Sequence, residues 1–203
     1  IRRPPRSTRK ESSAASDVYK RQTLAEAVRS ETAKRVGIDN KPTKEHIENL
    51  KVTAEKVFQP VRDYFDKPVY VSSMYRSEGL NKALKFASKT SMHMTGQAID
   101  IDMDNTSISN KDIFDYIKDN LDFDTLIWEF GDTAPSWVHV SYREGRNRKQ
   151  VLESCKNDMT GLVEYKHYEP RKEKQKEVQG NKTRSVPSGK IRTVSNSSRN
   201  NTK

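Results

Sequence analysis

Residues 91–102 read SMHMTGQAIDID, with His93 ahead of a glycine and Asp100 and Asp102 set between isoleucines. Further on, WVHVSY carries His139 within another alternating run. In a strand, successive side chains point to opposite faces. Ile99 and Ile101 therefore share one face while Ala98, Asp100 and Asp102 share the other, and Trp137, His139 and Ser141 lie opposite Val138, Val140 and Tyr142. Each strand presents a ligand-type side chain beside a core face. Gly96 and the small Ala98 allow the loop carrying His93 to fold back toward Asp100. Two imidazoles and one carboxylate, with one position open, are a common donor set for hydrolytic zinc. His46, on the polar side of a helix, and His167, at the head of a polar run, lie outside this pattern.

The elements that must carry these residues are those of an α+β domain, a small antiparallel sheet with packed helices. From Thr43, apolar residues Ile47, Leu50, Ala54, Val57, Phe58, Val61 and Phe65 recur at helical spacing. PVYVSSMY alternates as a strand, and SEGLNKALKFA returns to helical spacing through Leu80, Ala83, Leu84 and Ala87. A further helix is expected over roughly Asn110 to Leu121, capped by Ser109. DTLIWEF and WVHVSY, joined by GDTAPS, should form an antiparallel hairpin. Pairing Glu129 with His139 would put both on the same face, away from Val138 and Val140.

The formal charge of +10 belongs to the ends: residues 1–22 contribute +5 and 167–203 contribute +7, so residues 23–166 carry −2. That distribution argues against a folded nucleic-acid surface, although a basic tail could attract polyanions without sequence specificity. No apolar run approaches the roughly 18 residues needed to span a bilayer. The chain reads as soluble and monomeric. Its one cysteine, Cys155, excludes an internal disulfide framework. Residues 1–22 lack any hydrophobic period and resemble translated sequencing-adapter read-through, so they are expected to be a disordered extension. Residues 167–203, rich in Lys, Ser, Asn and Thr, are expected to be a disordered basic tail, leaving 23–166 as the folded domain.

Ser91, His93, Gly96, Ala98 and Asp100 meet the pattern Ser-x-His-x-x-Gly-x-Ala-x-Asp, followed by Trp-x-His at Trp137 and His139. This arrangement resembles the zinc D-alanyl-D-alanine peptidase family, in its phage-type branch, whose domain is the zinc-bearing hedgehog/D,D-peptidase fold. The resemblance extends to TLAEAVRSETAKRVGIDNKP, VFQPVRDYF and VSSMYRSEGLNKAL, and so spans about Thr23 to Tyr165. It implies one zinc ion on His93, Asp100 and His139, with a fourth place for water whose pKa falls towards ~7. Arg76 matches the family arginine that contacts substrate near the reacting carbonyl or its carboxylate. Asn81 and Ser91 would position or bind the substrate.

Three departures from the family pattern matter. Several relatives carry an acid three residues before the second histidine, where this chain has Ser136. Glu129 is then the expected general base, with Asp132 in reserve. The glycine usual before the Tyr-Arg pair is Met74, and the loop ahead of Ser91 reads KFASKT without glycine. The implied activity is zinc-dependent hydrolysis of peptidoglycan stem peptides at a bond involving D-alanine, by a D,D-carboxypeptidase or an endolysin-type endopeptidase. Such a protein would be made in a bacterial or phage-infected cytoplasm and act on the cell wall. The competing reading is a non-catalytic, zinc-stabilised module that binds cell-wall peptides.

Overall fold

The computed structural model describes residues 17–19, 22–85 and 87–170. Strands β1 (Asp17–Tyr19) and β2 (Gln22–Thr23) pair with each other, followed by short helices α1 (Leu24–Ala27) and α2 (Glu31–Val36). The backbone is thus already paired within the stretch expected to be an extension, and Gln22 is buried. Residues 1–16 and 171–203, on which the remaining expectations of disordered ends fall, lie outside the described residues.

The long helix expected from Thr43 is α3 (Lys44–Thr53) and α4 (Gln59–Phe65) joined through a π-helical turn at Ala54–Phe58. Pro60 accounts for the wider turn. It has no N–H, and its ring would clash with the carbonyl four residues back in a regular helix. The π turn shifts the ladder so that the Gln59 N–H reaches the Ala54 carbonyl. Strand β3 (Val71–Ser73) and helix α5 (Glu78–Ala83) follow. Helix α5 is shorter than its apolar spacing predicts, because Leu84 is already extended at the C-cap. Strand β4 is Ala98–Ile101, and α6 is Asn110–Asn120, where Ser109 and Asp112 cap each other reciprocally.

Strands β5 (Thr125–Glu129) and β6 (Trp137–Ser141) form the expected hairpin. Gly131 permits its tight turn, since a Cβ there would lie 2.1 Å from the Ala134 carbonyl oxygen. The register differs from expectation: Ile127, not Glu129, stands opposite His139, and Glu129 stands opposite Trp137. The parity is unchanged, so Glu129 and His139 still share a face. Strands β7 (Gln150–Lys156) and β8 (Val163–His167) complete a six-stranded sheet of order β3-β4-β6-β5-β7-β8. All its pairs are antiparallel except β5 with β7.

One face of the sheet, with Ile99, Ile101, Leu126, Trp128, Val138 and Val140, belongs to the core together with Ile113, Phe114 and Ile117 of α6. The folded chain also runs past the expected boundary at Lys166. His167 closes β8, and the Tyr168 N–H donates to the Val151 carbonyl. The Tyr168 ring stacks on Trp128 at 5.7 Å and meets Phe114 at 4.8 Å. A single aromatic seat within a polar run is enough to bring the chain back onto the core. Among the described residues no helix is long and apolar enough to cross a membrane.

Candidate metal centre and active-site cleft

The opposite face of the sheet floors a cleft of about 740 Å³. Asp100 stands directly opposite His139 across the β4–β6 pair, so the sheet register alone places two of the three candidate ligands side by side. His93 arrives from a 3₁₀ turn, Met92–Thr95, closed by Gly96 with φ +75°. A Cβ at Gly96 would stand 2.6 Å from the His46 carbonyl oxygen, so glycine is what lets this turn press against α3.

His93 Nε2 lies 3.2 Å from Asp100 Oδ1 and 3.2 Å from His139 Nδ1, and His139 Nδ1 lies 2.8 Å from Asp100 Oδ1. These three residues form a group that could hold a metal ion. Donors about 2.0 to 2.2 Å from a tetrahedral zinc stand roughly 3.3 to 3.6 Å from one another, so the observed triangle is a slightly contracted version of that cage. The proton placement agrees. The Met74 carbonyl, an acceptor only, lies 2.7 Å from His93 Nδ1, which must therefore be the donor. That leaves the Nε2 lone pair facing the carboxylate. Burial holds the His93 pKa below the usual histidine value against the attraction of Asp100, which favours the neutral form that binds metal. Burial opposes ionisation of Asp100, yet His93 and His139 together hold its carboxyl far below the ordinary range. His139 Nδ1 is the one group of the three whose proton decides the state of the site: protonated it donates to Asp100, and deprotonated it leaves three donors able to hold a cation. Met74, the departure from the family glycine, enters this cage through its backbone, so its side chain is free to fill the core.

Arg76 straps the ligands together. Its backbone N–H donates to the His93 carbonyl, Nη2 donates to Asp100 Oδ2 at 2.6 Å, and Nε donates to Ser73 Oγ. It also lines the cleft. Ser91 lines the cleft too, and its carbonyl accepts from Met94 N at the start of the turn bearing His93. Asn81 does not line the cleft: it is buried, and its amide donates to the Ser88 carbonyl, pinning the loop that walls the cleft. Asp132 is exposed in the hairpin turn, away from the cleft lining. His46 bonds through Nδ1 with the Tyr75 hydroxyl, outside the site.

Glu129 is buried in the cleft floor. It is a diagonal neighbour of His139, a relation that sets Cα atoms about 7 to 8 Å apart. Burial raises its pKa above the usual glutamate value, against the hydrogen bond from Ser154 and the attraction of His139. The Ser154 hydroxyl donates to Oε2 at 2.5 Å. Sequence reasoning missed Ser154 and Tyr165, which stand opposite each other on β7 and β8. Tyr165, half exposed, lines the cleft, and its partial burial, with Glu129 and Asp100 nearby, raises its pKa. The alternation of Leu152 with Ser154, and of Val163 with Tyr165, was the available signal.

The sequence profile of the family described as Peptidase M15 matches residues 20–141, more than half of the chain. Among curated proteins, none matches it.

Proposed function

Because the chain belongs to the peptidase M15 family, we propose that it hydrolyses peptidoglycan stem peptides at a bond involving D-alanine, with one zinc ion held by His93, Asp100 and His139. On this reading the domain is of the hedgehog/D,D-peptidase type, works as a monomer, and acts on the cell wall. The observation that carries it is the convergence of His93 Nε2, Asp100 Oδ1 and His139 Nδ1 within 3.2 Å on the floor of the cleft. A zinc ion at that point would supply Lewis-acid polarisation of the scissile carbonyl and make water more acidic.

The protein's own groups account for the rest. Glu129 takes the proton of the attacking water on Oε1, while Ser154 occupies Oε2 and fixes the carboxylate. Its burial makes it a stronger base than a solvated glutamate. The same Oε1 returns the proton to the departing amine as the C–N bond breaks. Arg76 keeps Asp100 ionised and in place, and its remaining donors serve the carbonyl oxygen as negative charge develops there.

Incubation of the zinc-loaded protein with purified muropeptides, with products read by mass spectrometry, tests the proposal. Loss of a terminal D-alanine identifies a carboxypeptidase, and an internal cut identifies an endopeptidase. Zinc bound at one per chain with no product of either kind would instead support the non-catalytic module.

A further inference from the structure

The end of the cleft beyond Ser141 holds two arginines and one deeply buried acid. Asp124, 1% exposed at its side chain, receives Arg148 in a fork, with Nε on Oδ1 at 2.8 Å and Nη2 on Oδ2 at 2.8 Å. That fork satisfies both carboxylate oxygens, and Asp124 is the single acid facing two guanidinium groups. Arg143 stands over the same acid with Nε 3.5 Å from Oδ2, too far for a good hydrogen bond. Among the described residues its buried Nε has no hydrogen-bond partner, and its Nη2 meets the Met92 thioether at 3.3 Å, a weak acceptor. Arg143 is thus a cation in excess with unused donors, and it lines the cleft beside Arg148, Thr125 and Ser141.

Its backbone is held by hydrogen bonds. The Arg143 N–H donates to Asn147 Oδ1, Asn147 donates to Asp122, and the neighbouring Tyr142 N–H donates to the Gln97 carbonyl. The contact with Met92 turns the guanidinium back toward the residue next to His93. A fork of this kind, in a partly desolvated cleft, is suited to a planar anion.

We propose that the Arg143 guanidinium, held over the Arg148–Asp124 pair, binds a free carboxylate of the peptide substrate and makes that carboxylate a condition of efficient cleavage. This rests on the peptidase reading of the same cleft. Stem peptides offer two sources of this group, the chain terminus and an internal carboxylate, and the tests below tell them apart.

With zinc-loaded protein, a stem pentapeptide is compared with its C-terminal amide and with the same peptide amidated at its internal carboxylate. One of the two amidations should lower kcat/KM about 10- to 100-fold, mostly through KM. Arg143→Gln should cause the same loss on the parent peptide and none on that amide, with Arg143→Lys intermediate because it keeps charge but loses the fork. Sensitivity to terminal amidation assigns the chain end, and sensitivity to internal amidation assigns the other source. An equal loss on all three peptides, or no loss, would overturn the proposal. A second measurement is independent of turnover. Millimolar N-acetyl-D-alanine should shift the Arg143 Nε–H NMR resonance, and N-acetyl-D-alaninamide should not. Absence of that shift overturns the carboxylate site, whereas the shift without any muropeptide cleavage would retain it and sink the peptidase reading.

Discussion

The two faces of the sheet are built from the same strands and differ in what burial does to them. On the α6 side, Ile99, Ile101, Leu126, Val138 and Val140 are fully enclosed, and their burial drives folding. On the cleft side, Asp100 and Glu129 are nearly as buried, but they are charged or titratable, so their burial costs stability. The cost is limited by partners: the Arg76 guanidinium for Asp100, and the Ser154 hydroxyl for Glu129. Alternation by single residues lets one face carry the stability that the other consumes.

That division makes sharp predictions. The largest effect is expected on the cleft side, where His93→Ala or His139→Ala should abolish zinc retention, read by metal analysis, and all peptidase activity. Full zinc occupancy in both variants would remove the site from this face. On the core side, Phe114→Ala should lower unfolding stability by about 3 to 5 kcal/mol in denaturant titration while the folded fraction keeps its turnover. A large loss of kcat with little loss of stability would erase the distinction between the faces.

Glu129→Gln should leave zinc content and the melting transition near normal and lower kcat on muropeptides by roughly a hundredfold or more. Near-normal turnover would remove Glu129 as the proton acceptor. A chain ending at Lys166 should be less stable than one ending at Pro170 by about 2 kcal/mol, because it lacks the Tyr168 ring on Phe114 and Trp128. Equal stability would show that the ring adds nothing to the core.

The smallest effect concerns Ser154→Ala. The Ser154 hydrogen bond lowers the Glu129 pKa against the effect of burial, so its removal should raise that pKa further. A base must be deprotonated to act, so the acidic limb of the kcat/KM profile should move to higher pH, costing several-fold in mildly acidic buffer and little in alkaline buffer. An unshifted limb would mean that another group sets it.

Much of the cleft side was legible because period-two patterns place residues without knowledge of the tertiary fold. Asp100 and His139 came from such patterns, as did the shared face of Glu129 and His139, whereas His93 came from its spacing to Gly96 and Asp100 on a loop. The exact pairing was not legible, since a hairpin's register depends on a turn whose Phe130 and Gly131 both adopt positive φ. Helix α5 was read too long because Leu84 and Ala87 continue its apolar spacing, although Asn81 holds the chain back at Ser88. Strands β7 and β8 went unread. Glu153 is buried in β7 with Lys166 as its ion-pair partner, and a charge at such a position hides the apolar period that marks a strand.

The parallel pairing of β7 with β5 has a consequence for the order of events during synthesis. All three candidate metal ligands precede residue 142, whereas Ser154, Tyr165, Arg143 and Arg148 follow it. Strand β7 can dock only after the chain has crossed from β6 to the far side of β5, and such long-range pairings form late. The nascent chain therefore carries His93, Asp100 and His139 before it carries the Ser154 hydroxyl that bonds Glu129. On the proposed reading, a chain stalled before β7 would hold the three candidate ligands but lack the hydroxyl that fixes Glu129.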